Sequence, residues 1–192
     1  MAQILNGVLL LLEARGLFLS LPKRKWRALV FYTQLSNMLT VMASLLLMLF
    51  GQPAWVTAMR YLSVCMMVMT FFVTACVLVP MGGDPRKLLG SGSGLYHHVL
   101  CPVLTTVSYF AFERHAASAL IVLPVAVTLL YGLVMLWLNA KHFVDGPYPF
   151  FRVHHQSAAA TVLWMAALML AMGGISALVC LAAGPGGGSG TA

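Results

Sequence analysis

Residues 31–50 have the sequence FYTQLSNMLTVMASLLLMLF, a run without a charged residue that is long enough to cross a lipid bilayer as a helix. Four polar side chains recur in this run at positions i, i+3, i+4 and i+7, namely Thr33, Ser36, Asn37 and Thr40. This spacing places them on one face of an α-helix. Because an unpaired polar group is costly in hydrocarbon, we expect that face to contact protein or a hydrated cavity rather than lipid.

The composition of the whole chain is that of an integral membrane protein. Of its 192 residues, 61% are hydrophobic and only 8% are charged, whereas a soluble domain carries about 25% charged residues. The apolar runs predict an all-α bundle of six transmembrane helices, at about residues 4–21, 28–50, 56–80, 95–113, 117–139 and 157–183. We therefore expect one transmembrane domain, 1–183, followed by a disordered glycine-rich tail, 184–192.

The first predicted span is interrupted by Glu13 and Arg15, so a cleaved signal peptide is the alternative interpretation of the N-terminus. The segment lacks a basic n-region and a small-residue cleavage site, which argues against cleavage. The four cysteines all lie in apolar runs without CxxC spacing, which is not typical of a zinc site or of a disulfide framework. The sequence thus indicates no metal and no other cofactor.

The net charge of +7 comes from residues concentrated in alternate loops. By the positive-inside rule, these loops face the cytoplasm and both termini lie outside, as in a multi-pass inner-membrane protein. Contact with anionic membrane lipids explains the basic excess, and we expect no nucleic-acid partner. The basic residues of these loops are Lys23, Arg24, Lys25, Arg27, Arg86, Lys87, Lys141 and Arg152, while Arg60 and Arg114 lie near helix ends on the other side.

Polar residues of three predicted spans reach a similar depth in the membrane. Counting about 1.5 Å per residue from the cytoplasmic end, Thr33 lies roughly 9 Å deep, and His97 and His98 lie roughly 3 to 5 Å deep. By the same count, Thr74 and Thr70 lie at about 9 and 15 Å. Single hydroxyls in such helices commonly bond to their own backbone or to a neighbouring helix.

A hydroxyl and an imidazole at matched depth are the minimum for nucleophilic catalysis, with histidine as the base. Because adjacent residues on a helix point about 100° apart, only one of His97 and His98 can face a given partner squarely. The sequence names no third member, since Glu13, Asp84 and Asp145 are equally arguable. Candidates for contacting the oxyanion or the substrate are Asn37, Ser36, Thr70 and Thr74, together with Arg15, which could bind a lipid carboxylate or extend to the interface.

Four segments of the chain carry a family resemblance: FYTQLSN at 31–37, RYLSVCMMVMTFFVTACVLVP at 60–80, GLYHHVLCP at 94–102 and DGPYPFFRV at 145–153. They resemble the multi-pass androgen-induced and androgen-dependent TFPI-regulating protein family, including its bacterial relatives. The resemblance implies a membrane threonine hydrolase that cleaves fatty acid esters of hydroxy fatty acids. Carried over by position, it makes Thr33 the nucleophile and His98, four residues before Pro102, the catalytic histidine, with His97 as the alternative.

The expected partners are therefore a lipid substrate with fatty acyl chains and the surrounding membrane lipids, and no protein partner is indicated. Three other functions remain open. The same site could transfer an acyl group to an acceptor other than water. The polar face could line the path of a non-catalytic transporter or lipid-binding protein. A haem-binding electron carrier, with ligands from the His97–His98 and His154–His155 pairs, is the least favoured because no histidine lies well inside a span.

Overall fold

A computed structural model describes residues 1–113 and 118–182, apart from the side chains of 23, 24, 26, 118 and 119. This part of the chain is helical and contains no β-strand. Arg114 and the predicted tail 184–192 lie outside the described residues. The α-helices are α1 (Ala2–Arg24), α2 (Tyr32–Phe50), α3 (Ala54–Val73), α4 (Gly92–Leu95), α5 (Cys101–Phe112), α6 (Leu123–Ala140) and α7 (Ala158–Ala182).

The predicted all-α membrane bundle is confirmed. Within the described ranges, five helical stretches are long and apolar enough to cross a membrane: Ala2–Pro22, Tyr32–Phe50, Ala54–Leu78, Leu120–Ala140 and Ala158–Ala182. The predicted span 95–113 coincides with consecutive helical segments from α4 to α5, joined by Tyr96–Leu100. The count of six spans and the orientation of the termini stay predictions.

Helix α1 packs against the bundle along one stripe of buried residues. The stripe repeats at alternating intervals of three and four residues, which keeps its members on one face of the helix. Glu13 is fully buried on this face, whereas Arg15 is exposed on another, as the two-residue separation requires. The stripe consists of Asn6, Leu9, Glu13, Gly16 and Ser20.

The polar face of α2 lies against protein, as predicted from its spacing. Ser36, Asn37 and Thr40 are fully buried, and Thr33 is half-buried. Side-chain hydrogen bonds link α2 to α3 at three successive levels and so satisfy these polar groups within the bundle. They join Ser36 to Thr70 (2.9 Å), Thr40 to Ser63 (2.7 Å) and Ser44 to Arg60 (3.0 Å).

Of the three π-helical turns in the described residues, Thr74–Leu78, Arg86–Gly90 and Tyr96–Leu100, the first and the last come shortly before a proline. Val79 donates its N–H to the carbonyl of Thr74, and Cys101 donates to the carbonyl of Tyr96, each five residues back. Pro80 and Pro102 follow directly and have no N–H to continue the ordinary i→i−4 pattern. The wide turn before Pro102 therefore changes which side of the helix His97 and His98 face.

The loop after α6 folds back into the bundle. Tyr148, Phe150 and Phe151 are buried in the main hydrophobic core. A Cβ at Gly146 would lie 2.7 Å from the backbone carbon of Phe151, so this close approach requires glycine. The fold-back brings the Tyr148 hydroxyl to the start of α2.

Candidate active site

A polar cavity of about 340 Å³ lies at the end of the bundle where three of the loops meet. It is bounded by residues of α1, α2, the α3–α4 connection, the turn before α5 and the loop after α6. Thr33, His97 and His98 all line it, so the structure brings together the groups that the sequence placed at similar depth. The other lining residues are Ser20, Phe31, Gln34, Leu78, Met81, Gly82, Gly83, Leu88, Ser93, Gly94, Pro147, Tyr148 and Pro149.

A narrow apolar slot of about 40 Å³ adjoins this cavity and extends between α2, α3, α6 and α7. Thr33, Leu78 and Tyr148 line both spaces, so Thr33 marks their junction. At the α6–α7 side of the slot, a Cβ on Gly132 would lie 2.6 Å from Cε of Met165, so the glycine makes room for the Met165 side chain that lines the slot. The mostly apolar lining of the slot suits a hydrocarbon chain.

Thr33 lies in the first turn of α2, where backbone N–H groups have no partner within the helix. The Tyr148 hydroxyl lies 3.3 Å from both the backbone nitrogen and Oγ1 of Thr33. The preceding N–H, of Tyr32, donates to the Tyr131 hydroxyl over 3.1 Å. Tyrosines from two other parts of the chain thus cap α2 and fix the position of Thr33.

His97 is the more deeply buried of the two histidines, with 2% of its surface exposed. Its Nδ1 lies 2.9 Å from Oδ1 of Asn37, and its Nε2 lies 3.2 Å from Oγ of Ser20. An oxygen of Glu13 lies 3.8 Å from the same Nδ1. Gly16 allows this packing, because a Cβ there would lie 2.8 Å from Cε1 of the imidazole.

The tautomer of neutral His97 follows from the orientation of the Asn37 amide. The Asn37 NH₂ group donates to the carbonyls of Thr33 (2.6 Å) and His97 (3.5 Å), so its oxygen must face the imidazole. An amide oxygen only accepts, and Nδ1 therefore carries the proton. Nε2 of neutral His97 then carries the lone pair of the ring and faces the Ser20 hydroxyl.

His98 is half-buried, and its Nδ1 lies 2.8 Å from the carbonyl oxygen of Leu88. This contact ties His98 to the α3–α4 connection at the rim of the cavity. The structure thus gives the two adjacent histidines different surroundings. The buried contacts with α1 and α2 belong to His97, the second choice of the sequence analysis, rather than to His98.

The remaining predicted site residues fall into three groups. Thr70 and Thr74 line the apolar slot, although their hydroxyls also bond to Ser36 and to the Thr70 carbonyl. Asn37 orients His97, and Ser36 is fully buried without lining either space. Arg15 is exposed on the side of α1 and lines neither space.

Sequence reasoning missed Ser20, Gly16 and Tyr148. The three-four spacing of the α1 stripe is a signal that would have placed Glu13, Gly16 and Ser20 on one face. No local signal could have placed Tyr148, since its position depends on how a turn-rich loop folds back onto the bundle.

A second buried polar cluster lies near the other end of α1. Nε and Nη2 of Arg60 donate to the two carboxylate oxygens of Glu113 over 2.8 and 2.9 Å. The same carboxylate accepts hydrogen bonds from Ser108 and Asn6, and Nη1 of Arg60 donates to Ser44. The positive and negative charges of this cluster are paired and hydrogen-bonded, as burial of an ion pair requires.

Among residues 1–113 and 118–182, no group of three or more histidine, cysteine, aspartate or glutamate side chains is placed to hold a metal ion. The histidines suggested as haem ligands have protein partners, since Nε2 of His154 bonds to the Asn139 carbonyl and both nitrogens of His97 have the contacts above. No protein-family model, no curated protein and no solved structure matches the chain.

Proposed function

We propose that this protein is an intramembrane hydrolase of lipid carboxylic esters, of the kind formed by fatty acids with hydroxy fatty acids. The observation that carries the proposal is the position of Thr33. It lies where a polar cavity that contains an imidazole meets an apolar slot. An ester of a long-chain acid needs both environments, since its carbonyl is polar and its chain is not.

In the proposed complex, the acyl chain occupies the slot and the ester carbonyl lies at Thr33. His97 takes the proton from the attacking hydroxyl and returns it to the leaving oxygen. The family resemblance makes Thr33 the nucleophile, and His98 is the alternative base. The surroundings of the two histidines favour His97, because Asn37 fixes the ring and tautomer of His97 whereas His98 bonds to a connecting segment.

Turnover of long-chain esters by the purified protein tests the proposal. Thr33→Ala should lower the rate at least about 100-fold, because it removes a polar group at the reacting carbonyl. Thr106→Ala is the matched control, since the Thr106 hydroxyl bonds only to the Pro102 carbonyl of its own helix and faces away from both spaces. Absence of ester hydrolysis by the wild-type protein, or equal rates for both variants, would refute the proposal.

The chain-binding role of the slot has a separate test. Gly132→Leu should push the Met165 side chain into the slot and lower the rate for a long-chain ester at least about tenfold more than for an acetyl ester, by removing apolar contacts with the chain. Gly174→Leu is the control, because no atom lies within 4 Å of a Cβ at Gly174. Equal effects on both esters would place the chain elsewhere.

Acyl transfer to an acceptor alcohol is the second candidate, because it needs the same cavity and the same acyl-enzyme. Product analysis with added hydroxy fatty acid separates the two reactions. A lipid transporter or lipid-binding protein would bind esters without consuming them. Membership of the resembled family and an inner-membrane location are part of the proposal. So are six spans, external termini and cytoplasmic basic loops. In this orientation the cavity would open toward the cytoplasm.

A further inference from the structure

Resting on the proposed function, we infer that Ser20, and not Thr33, is the hydroxyl that His97 activates. Ser20 Oγ lies 3.2 Å from Nε2 of His97, and Asn37 Oδ1 lies 2.9 Å from Nδ1 on the other side of the ring. This is the order of a hydrolytic triad: a hydroxyl, an imidazole and a group that orients the imidazole. The three residues come from α1, the turn before α5 and α2.

The proton positions fit this role. The Asn37 amide places the imidazole proton on Nδ1, so Nε2 is the basic nitrogen and it faces Ser20. Three acceptors surround the Ser20 hydroxyl at nearly equal distances: Nε2 of His97 at 3.2 Å, and the Leu17 carbonyl and the Gln34 amide oxygen at 3.3 Å. Ser20 lines the polar cavity and is therefore within reach of a substrate held there.

Thr33 has a different neighbour. Its Oγ1 and its backbone nitrogen both contact the Tyr148 hydroxyl, and these groups lie at the mouth of the slot. Hydroxyl and N–H groups at this position suit a carbonyl oxygen that becomes negatively charged during attack. Thr33 then binds the reacting carbonyl, and Ser20 attacks it.

Glu13 lies beside this arrangement. Its carboxyl group is fully buried, lies 3.8 Å from Nδ1 of His97, and accepts no hydrogen bond from an N–H or O–H group within residues 1–113 and 118–182, although the Cys101 thiol is a neighbour. A buried carboxyl with so few polar contacts is costly for the fold. Ionised Glu13 would stabilise the imidazolium that forms when His97 takes the Ser20 proton.

The reaction balances with water as the only co-reactant. Ser20 Oγ bonds to the ester carbonyl carbon while its proton passes to Nε2 of His97. The bond to the leaving alcohol oxygen then breaks, and that oxygen takes the proton from Nε2, which leaves the acyl group on Ser20. Water attacks this acyl group with proton transfer to Nε2, the bond to Oγ breaks, and Oγ regains the proton as the carboxylic acid departs.

The decisive experiment identifies the labelled residue. The purified full-length protein is treated with an alkyl fluorophosphonate, digested and mapped by peptide mass spectrometry, with long-chain ester turnover measured in parallel. We expect the adduct on Ser20. In Ser20→Ala, labelling should disappear and turnover should fall at least about 10³-fold. Ser63→Ala is the matched control, a fully buried helical serine that bonds to Thr40 and lines neither space.

Each outcome has one consequence. An adduct on Thr33, or on any residue other than Ser20, overturns this inference while the proposed hydrolase function stands. Ester turnover without any adduct, or full turnover by Ser20→Ala, overturns it in the same way. Absence of both labelling and turnover in the wild-type protein removes the proposed function together with the inference.

Discussion

The two buried polar clusters of this bundle lie on the same stripe of α1 but differ in how their charges are satisfied. Asn6 belongs to the Arg60–Glu113 cluster and Ser20 to the His97 cluster, about 20 Å away along the helix. In the first, Glu113 accepts four hydrogen bonds. In the second, Glu13 accepts none from the N–H and O–H groups of residues 1–113 and 118–182, and a polar cavity lies beside the imidazole.

This difference in hydrogen bonding distinguishes a polar cluster that holds helices together from one that is available for catalysis. A saturated ion pair fixes the relative position of α1, α3 and α5, and it gains nothing from a ligand. A buried carboxyl that lacks hydrogen bonds is unfavourable for the stability of the resting protein. If ionised, it would stabilise the neighbouring imidazole once that ring becomes positively charged. Burial alone therefore does not distinguish the two clusters, but hydrogen-bond saturation does.

The largest expected effect is on the second cluster. His97→Gln should lower ester turnover about 10³-fold, because the proton acceptor is lost. The unfolding temperature in detergent should change little, since glutamine keeps polar atoms near Ser20 and Asn37. His98→Gln, measured in parallel, should retain most of the activity. If His98→Gln proves the more damaging, His98 is the base.

The same substitution should change stability much more in the first cluster than in the second. Glu113→Gln leaves the Arg60 charge buried without its counter-ion, and we expect a loss of about 3 kcal/mol in the free energy of unfolding. Glu13→Gln breaks no hydrogen bond and should change stability by less than about 1 kcal/mol. Reversible unfolding in mixed micelles measures both. Equal losses would show that Glu13 is also a structural charge.

Much of the fold could be predicted from sequence because lipid imposes a simple rule. Apolar runs of bilayer length identified the helical bundle, and the i, i+3, i+4, i+7 spacing identified the buried face of α2. Thr33, His97 and His98, which the depth count placed at a similar depth, line one cavity. These features follow from local periodicity, which the sequence displays directly.

The choice between His97 and His98 depends on a feature that periodicity does not show. The wide turn at Tyr96–Leu100 alters the direction of both side chains relative to a regular helix. Ser20 was missed because a single serine among apolar residues resembles an ordinary helix contact, and its importance depends on contacts 77 residues away in the chain. The position of Tyr148 likewise depends on tertiary packing.

A smaller effect is expected from Gly16, which separates α1 from the imidazole. Gly16→Ala places a methyl group 2.8 Å from Cε1 of His97, so the ring must shift away from Ser20. We expect turnover to fall about 10- to 100-fold, since a displacement near 1 Å disturbs proton transfer. Gly173→Ala is the control, because no atom lies within 4 Å of a Cβ there. Equal activities of the two variants would show that the His97 position is not critical.

The smallest effect should come from Thr40, which continues the polar face of α2 away from the cavity. Thr40→Val removes the 2.7 Å hydrogen bond to Ser63 and keeps the side-chain shape, so we expect a loss of about 1 kcal/mol in unfolding free energy. Turnover per folded molecule should equal that of the wild-type protein, because Thr40 lines neither the cavity nor the slot. A drop in turnover without a loss of stability would mean that the functional part of this face extends beyond Thr33 and Asn37. The hydroxyls that join α2 to α3 would then also contribute to catalysis.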